Sequence, residues 1–161
     1  VKLKHPQAEF TVLGAIDAHN MGALKQHHLE QLLEEQLFEY PGHVTNVQDW
    51  ISGCSVFVLP SYREGVPRST QEAMAIGRPI ITTDVPGCRE TVVDGVNGFL
   101  VPKWNADVLA EKMCYFIEHP MQVNIMGLES YKMALESFDV DKVNKKNFSI
   151  MGLNESNEKT G

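Results

Sequence analysis

The sequence predicts an α/β fold built on a largely parallel sheet. Short apolar runs rich in β-branched residues recur at 10–14, 55–59, 79–83 and 99–101. Segments whose apolar residues fall at helical spacing separate and follow them. The regular alternation of the two kinds of segment is what a sheet with crossover helices requires.

Each element has its own signal. Phe10-Thr11-Val12-Leu13-Gly14 reads as a strand ended by Gly. Residues 16–22 carry Asp17, His19, Asn20 and Gly22 and read as loop. Between 24 and 38 the apolar positions 24, 29, 32, 33 and 37 predict an amphipathic helix, broken by Pro41-Gly42, with His43-Val44 in a short strand beyond. Asn46 is placed to cap a helix running to Gly53. The unbroken run 55–59 predicts a strand buried on both faces. Residues 60–67 read as loop, 69–76 as a helix stopped by Gly77, and 79–83 as the next buried strand. Pro86-Gly87 opens a turn into a short helix over 88–93. Asp94-Gly95 and Asn97-Gly98 flank a tight turn before the strand 99–101. Helices follow over 105–119 and 121–138, separated by Pro120. The last residues are polar and frayed.

Composition excludes several classes. The 161 residues hold 43% hydrophobic and 22% charged side chains, an ordinary globular mixture long enough to bury a core. With 14 Lys+Arg against 21 Asp+Glu the net charge is −7, the wrong sign for a protein that neutralises nucleic-acid phosphates. No apolar run approaches the roughly 20 residues that cross a bilayer. Three widely spaced cysteines, Cys54, Cys88 and Cys114, form neither a disulfide framework nor a metal pair, and point to a reducing cytoplasm. The N-terminus lacks both a signal-peptide stretch and a starting Met, so the sequence reads as a piece of a longer chain.

In open parallel sheets ligands bind at the carboxyl ends of strands. The informative stretch is therefore the one that follows the run 55–59 and opens a helix: Ser61-Tyr62-Arg63-Glu64-Gly65-Val66-Pro67-Arg68-Ser69-Thr70-Gln71-Glu72-Ala73-Met74-Ala75-Ile76-Gly77-Arg78-Pro79. Ser69 and Glu72 have the spacing of a capping box. A helix N-terminus suits phosphate, Gly65 permits close backbone approach, and Pro67 stiffens the turn. Glu64 and Glu72 bracket the turn, and a carboxylate accepting two hydrogen bonds suits a sugar diol. Phosphate flanked by hydroxyl-bearing rings describes a nucleotide sugar.

Glu64 and Glu72, with seven residues between them within S-x-x-E-G-x-P-x-x-x-x-E-A-M-A-x-G-x-P, resemble the E-x7-E signature of family 4 glycosyltransferases, retaining enzymes of the two-domain GT-B type. Ile80-Ile81-Thr82-Thr83-Asp84-Val85-Pro86-Gly87-Cys88-Arg89-Glu90 and Asp94-Gly95-Val96-Asn97-Gly98-Phe99-Leu100-Val101 resemble the same family. The resemblance runs from about His5 to about Phe148 and is nearest the bacterial enzymes that build surface polysaccharides. It implies a Rossmann-like donor-binding domain over 1–150; the polar composition of 151–161 reads as a disordered tail. It further implies that Glu72 grips the donor ribose and that Glu64, the catalytic candidate, faces the transferred sugar. The backbone N–H groups of Gly65 and Val66 would touch that sugar, and those near Ser69 and Thr70 would hold the distal phosphate. Pro67 and Arg68 belong to the same donor turn, and the loop His43-Val44-Thr45 would border the base.

The family domain normally opens with a further strand and helix whose Arg and Lys neutralise the diphosphate; these would precede His5, as would the acceptor-binding domain. The sequence thus predicts one half of a GT-B enzyme, inactive by itself. It would take a nucleoside diphosphate sugar, most readily a UDP-sugar, and serve a glycan or lipid-linked glycan acceptor, in the cytoplasm or at the inner face of the membrane. No cofactor and no metal are expected. Two rivals share the fold: a nucleotide-sugar-binding module without turnover, and a flavodoxin-like interaction domain. G-x-G-x-x-G and G-x-x-x-x-G-K-[ST] are both absent, which leaves NAD and ATPase readings without support. Arg78 reads as a surface loop residue, adjacent His27 and His28 as exposed and diverging, and Met113, Met121, Met126 and Met133 as packing residues.

Overall fold

The computed structural model describes residues 1–16 and 24–151. Its elements follow the order β1 (Thr11–Leu13), α1 (Gln26–Glu34), β2 (Glu39–Gly42), α2 (Val47–Gly53), β3 (Phe57–Leu59), α3 (Arg68–Ala75), β4 (Ile80–Thr83), α4 (Pro86–Arg89), β5 (Gly98–Val101), α5 (Ala106–Glu118), α6 (Pro120–Ser137) and α7 (Val140–Ile150). Every strand pairing is parallel: β1 with β2 in one sheet, and β3-β4-β5 in another. The expected α/β architecture is therefore present, with its sheet in two pieces. Among the described residues no ladder joins β1 to β3.

The core follows from the period-two alternation of the strands. All four residues of β4 are buried, because β4 alone has a strand on each side. Ile80 faces Ala73, Met74 and Ile51, with Phe57, Leu100 and Ala134 in the same cluster. Ile81 points the other way, into Phe99, Val101, Phe116 and Met126. Burying each of these isoleucines contributes about 1.5–3 kcal/mol. Helices α2, α3 and much of α6 cover the first face; α5 and the start of α6 cover the second. Gly77, with φ of +75°, ends α3 in the left-handed conformation that Gly accepts freely.

Several expectations need correction. Strand β3 is not buried on both faces; Phe57, Val58 and Leu59 are all half-buried, since β3 has only β4 beside it. The second strand is Glu39–Gly42, not His43-Val44, and it contains the Pro41-Gly42 expected to interrupt the chain. Pro41 lacks an N–H, which an outer strand tolerates, and Gly42 turns out of the strand at φ +77°. The two helices expected around Pro120 are present, with Pro120 itself the first residue of α6, as its fixed φ permits. The short helix after β4 spans Pro86–Arg89, not 88–93. Helix α7 was not foreseen, although Asp139 accepts from the Lys142 N–H as its cap. Arg78 is no free surface side chain: it donates to the Ser52 carbonyl at 3.0 Å and its Nε is buried. His27 and His28 are exposed but do not diverge, their rings lying 4.0 Å apart. Met126 is a core residue whereas Met121 is 69% exposed. The loop read over 16–22 and the polar tail beyond Met151 fall, apart from Ile16, outside the described residues.

Candidate nucleotide-sugar site

The turn from β3 to α3 is built from below by β4. Thr82 and Thr83 end β4 with buried hydroxyls; Thr82 donates to the Leu59 carbonyl at 2.8 Å, and Thr83 donates to the Ser61 carbonyl. These bonds extend the grip of β4 past the last strand pair. Ser61 Oγ then donates to Glu64 Oε1 at 2.6 Å, which holds the half-buried carboxylate over the turn. Under the next residue lies Gly87: a Cβ there would fall 1.4 Å from the Gly65 carbonyl oxygen. The outer side of Gly65 is open, with nothing within 4 Å of an added Cβ.

Helix α3 begins at Arg68, one residue before the expected start. Pro67 is its N-cap, buried, with the extended backbone that position requires. Thr70 Oγ1 donates back to the Pro67 carbonyl at 2.7 Å. The capping box expected of Ser69 and Glu72 therefore does not form, because Ser69 is the second helical residue and no side chain caps the helix. The consequence favours ligand binding: the N–H groups of Arg68, Ser69 and Thr70 lack carbonyl partners within the helix and no side chain caps them. Glu72 stands one turn further on, half-buried, and takes no side-chain hydrogen bond among the described residues. Arg63, Val66 and Arg68 are exposed beside the turn. Gln71 Nε2 reaches the Val66 carbonyl at 3.4 Å.

Glu64, Gly65, Val66, Pro67, Arg68, Ser69, Thr70 and Glu72 are thus brought onto one turn. Val44 and Thr45 lie apart, on the loop from β2 into α2. The helix that follows this loop, α2, packs on α3: Val47 and Ile51 share a core with Ala73 and Met74. Sequence reasoning assigned no role to Ser61, Thr83 or Gly87, although all three sit within the segments that carried the family resemblance.

Two further pairs line the carboxyl ends of the strands. Arg89 Nε donates to Asp84 Oδ1 at 2.5 Å, just beyond β4. That hydrogen bond holds the Asp84 carboxyl below the usual aspartate range and raises Arg89. Tyr62 stacks on Trp104, with ring centroids 3.7 Å apart and planes at 19°. Among the described residues no three His, Cys, Asp or Glu side chains gather as a metal cluster, and no helix is long and apolar enough to cross a membrane.

Known proteins resemble this chain in sequence and in fold. The family described as glycosyl transferases group 1 matches residues 1–119. The N,N'-diacetylbacillosaminyl-diphospho-undecaprenol alpha-1,3-N-acetylgalactosaminyltransferase of Campylobacter jejuni is 31% identical over 112 residues, covering 70% of this chain and 28% of that protein. A putative colanic acid biosynthesis glycosyltransferase, WcaL of Salmonella typhimurium, is 31% identical over 136 residues, 80% of this chain and 32% of its own length. The crystal structure of Anabaena HepE in complex with UDP superposes with a TM-score of 0.80 at 22% identity, covering 91% of this chain and 41% of that one. The chain spans about a third of the length of these two curated relatives, and its fold is that of one half of a GT-B enzyme. On its family match and its motif, the chain belongs to the group 1 glycosyl transferases.

Proposed function

We propose that this chain is the donor-binding half of a retaining glycosyltransferase that moves a sugar from a UDP-sugar to a saccharide or lipid-linked saccharide. The observation that carries the reading is the β3–α3 turn. It offers a carboxylate on each side, Glu64 and Glu72, of helix N–H groups left without carbonyl partners within α3. In this reading Glu72 accepts from the ribose hydroxyls. The N–H groups of Arg68, Ser69 and Thr70 face the distal phosphate, and Arg68 adds positive charge nearby. The N–H groups of Gly65 and Val66 face the sugar, with Glu64 held against it by Ser61. The loop at Val44 and Thr45 borders the base. As the bond to the sugar breaks, the diphosphate leaves as an anion, and preorganised N–H donors stabilise that developing charge. Donor binding uses no metal.

The named relatives support the acceptor class. One is named for an acceptor carried on diphospho-undecaprenol and another for colanic acid biosynthesis. HepE was crystallised with UDP. We place the reaction in the cytoplasm, at the inner face of the membrane when the acceptor is lipid-linked.

Titration with UDP tests the reading. At 100 times its dissociation constant UDP should stabilise the chain by about 2.7 kcal/mol. EDTA should leave that binding unchanged. Binding should weaken with added salt, because exposed charge contacts are screened. The 161-residue chain should not transfer sugar alone, whereas the chain joined to its natural upstream sequence should, with a UDP-sugar and a lipid-linked acceptor. Positioning two substrates for attack can contribute about 7–11 kcal/mol of a barrier, and one half cannot supply it. Absence of UDP binding, or equal turnover by the short chain, overturns the proposal.

A further inference from the structure

Trp104 is 77% exposed and Tyr62 is 51% exposed, yet their rings stack face to face at 3.7 Å. Stacking covers one face of each ring and leaves the other in water. Trp104 also holds a left-handed backbone, φ +62°, which bulky residues rarely adopt. It stands between two anchored residues: Val101 of β5, buried three residues before it, and Asn105, which follows it and caps α5 by accepting from the Val108 N–H at 3.0 Å. A large aromatic side chain held open to water on strained backbone, at the carboxyl rim of a parallel sheet, marks a binding position more than a packing one.

The pair lies on one side of the donor turn. Read backwards along the chain, the turn runs from Glu72, through the helix N–H groups at 68–70, to Gly65, Glu64 and then Tyr62. In the proposed reading that is the direction ribose, phosphate, sugar, and then beyond the sugar. Trp104 enters from β5, at the far side of the sheet from β3. The loop that would border the base arrives instead from β2, through α2 packed on α3. A nucleobase therefore lies at the wrong end for this platform, and a second saccharide lies at the right one. The surroundings suit a sugar: exposed Arg63, Lys103 and Asp107 offer hydrogen bonds beside an aromatic face, and the C–H face of a pyranose ring is its natural stacking partner.

We infer that Tyr62 and Trp104 form a stacking platform for the acceptor saccharide next to Glu64. This rests on the function proposed above, and its test has a readout of its own. In a Trp50→Phe background, emission comes from Trp104 alone, since the chain has two tryptophans. Maltose, lactose and chitobiose are titrated with emission and with saturation-transfer NMR as readouts. At least one should shift the emission and show saturation at its ring C–H protons. NMR on Trp104→Gly, which keeps the left-handed backbone, and on Tyr62→Ala should show binding at least tenfold weaker. UDP affinity should stay within twofold in both variants, as should the extra affinity of UDP-glucose over UDP. In the chain joined to its upstream sequence, Trp104→Gly should raise KM for the acceptor and leave the donor KM unchanged.

No response to any of the three sugars overturns the inference. Loss of UDP affinity in Trp104→Gly would assign the pair to the nucleotide, and loss of only the UDP-glucose increment would assign it to the donor sugar; either also overturns it. A parent chain that binds the saccharide but not UDP would overturn the proposed function while leaving the platform in place.

Discussion

The Gly65 carbonyl rests directly on Gly87. A Cβ on Gly87 would stand 1.4 Å from that oxygen and 2.5 Å from the Glu64 carbonyl oxygen, both backbone atoms that cannot rotate away. The position of the β3–α3 turn is therefore set by the absence of a side chain 22 residues later in the sequence.

Gly87→Ala should push the turn off β4. We expect about 1–3 kcal/mol of destabilisation, the usual cost of overpacking, and a loss of UDP-sugar affinity exceeding the loss for UDP. Gly65→Ala is the matched control for stability alone, because its added methyl meets nothing of the protein within 4 Å. Thermal melts of both variants and titrations of Gly87→Ala check this; a Gly87→Ala protein with parental melting and binding refutes it.

Glu72→Gln should weaken UDP binding roughly tenfold or more, the worth of a hydrogen bond to a charged group. Stability should stay within about 0.5 kcal/mol, because Glu72 plays no part in capping α3. Calorimetric titration beside a urea melt separates the two effects. Parental affinity would remove the ribose role.

Glu64→Ala should leave UDP affinity nearly intact and reduce the extra affinity of the UDP-sugar. Ser61→Ala should do the same to a smaller degree, since it frees the carboxylate that Ser61 Oγ holds at 2.6 Å. Equal losses for UDP and UDP-sugar in Glu64→Ala would contradict the geometry.

Acid titration should find Asp84 ionised below the usual aspartate range, because Arg89 donates to it. The sign follows from linkage. A carboxyl whose folded pKa is lowered adds stability that is present above the unfolded value and lost as pH falls through the folded one. Asp84→Asn should therefore flatten the acid limb of the stability curve in that window, and only slightly, since the pair is exposed and salt screens it. Carboxyl-carbon NMR on the parent at low and high salt measures the shift; an unshifted Asp84 contradicts it.

What was legible in the sequence was what neighbours along the chain decide. Ile80-Ile81 announced a buried strand and Gly77 a helix stop, and both hold. Asn46 does stand at the N-cap of α2 as expected, but its side chain makes no capping bond and donates instead to Asp49. Glu64 and Glu72 were picked out by their spacing around a helix start, and the structure does set them on one turn. The misreadings came where a distant group or a one-residue offset decides. The spacing of Ser69 and Glu72 makes a capping box only with Ser at the N-cap, and buried Pro67 takes that place with Thr70 bonded to its carbonyl. The burial of 55–59 was overestimated because apolarity does not reveal how many strands lie beside it. Gly87 under Gly65, Thr83 on Ser61 and Trp104 on Tyr62 are all contacts between segments at the carboxyl ends of different strands. No local pattern encodes them.

The break between β1 and β3 has a dynamic consequence. A continuous ladder makes strands open together, whereas among the described residues no ladder joins β1 and β2 to β3, and the ties between the two pieces include α2 packed on α3 and Lys4 and His5 on Glu118. Thr11 and Val12 of β1 are exposed, while β4 is wholly buried. Local opening free energies should differ accordingly. Amide hydrogens of β1 and β2 should exchange through a low-energy fluctuation, and those of Ile80, Ile81 and Thr82 only when the whole protein unfolds. The β3–α3 turn, tied to β4, would then keep its shape while the piece holding β1 and β2 breathes. A ligand that spans both pieces would slow exchange in β1 and β2 more than anywhere else, and so report its own reach across the gap.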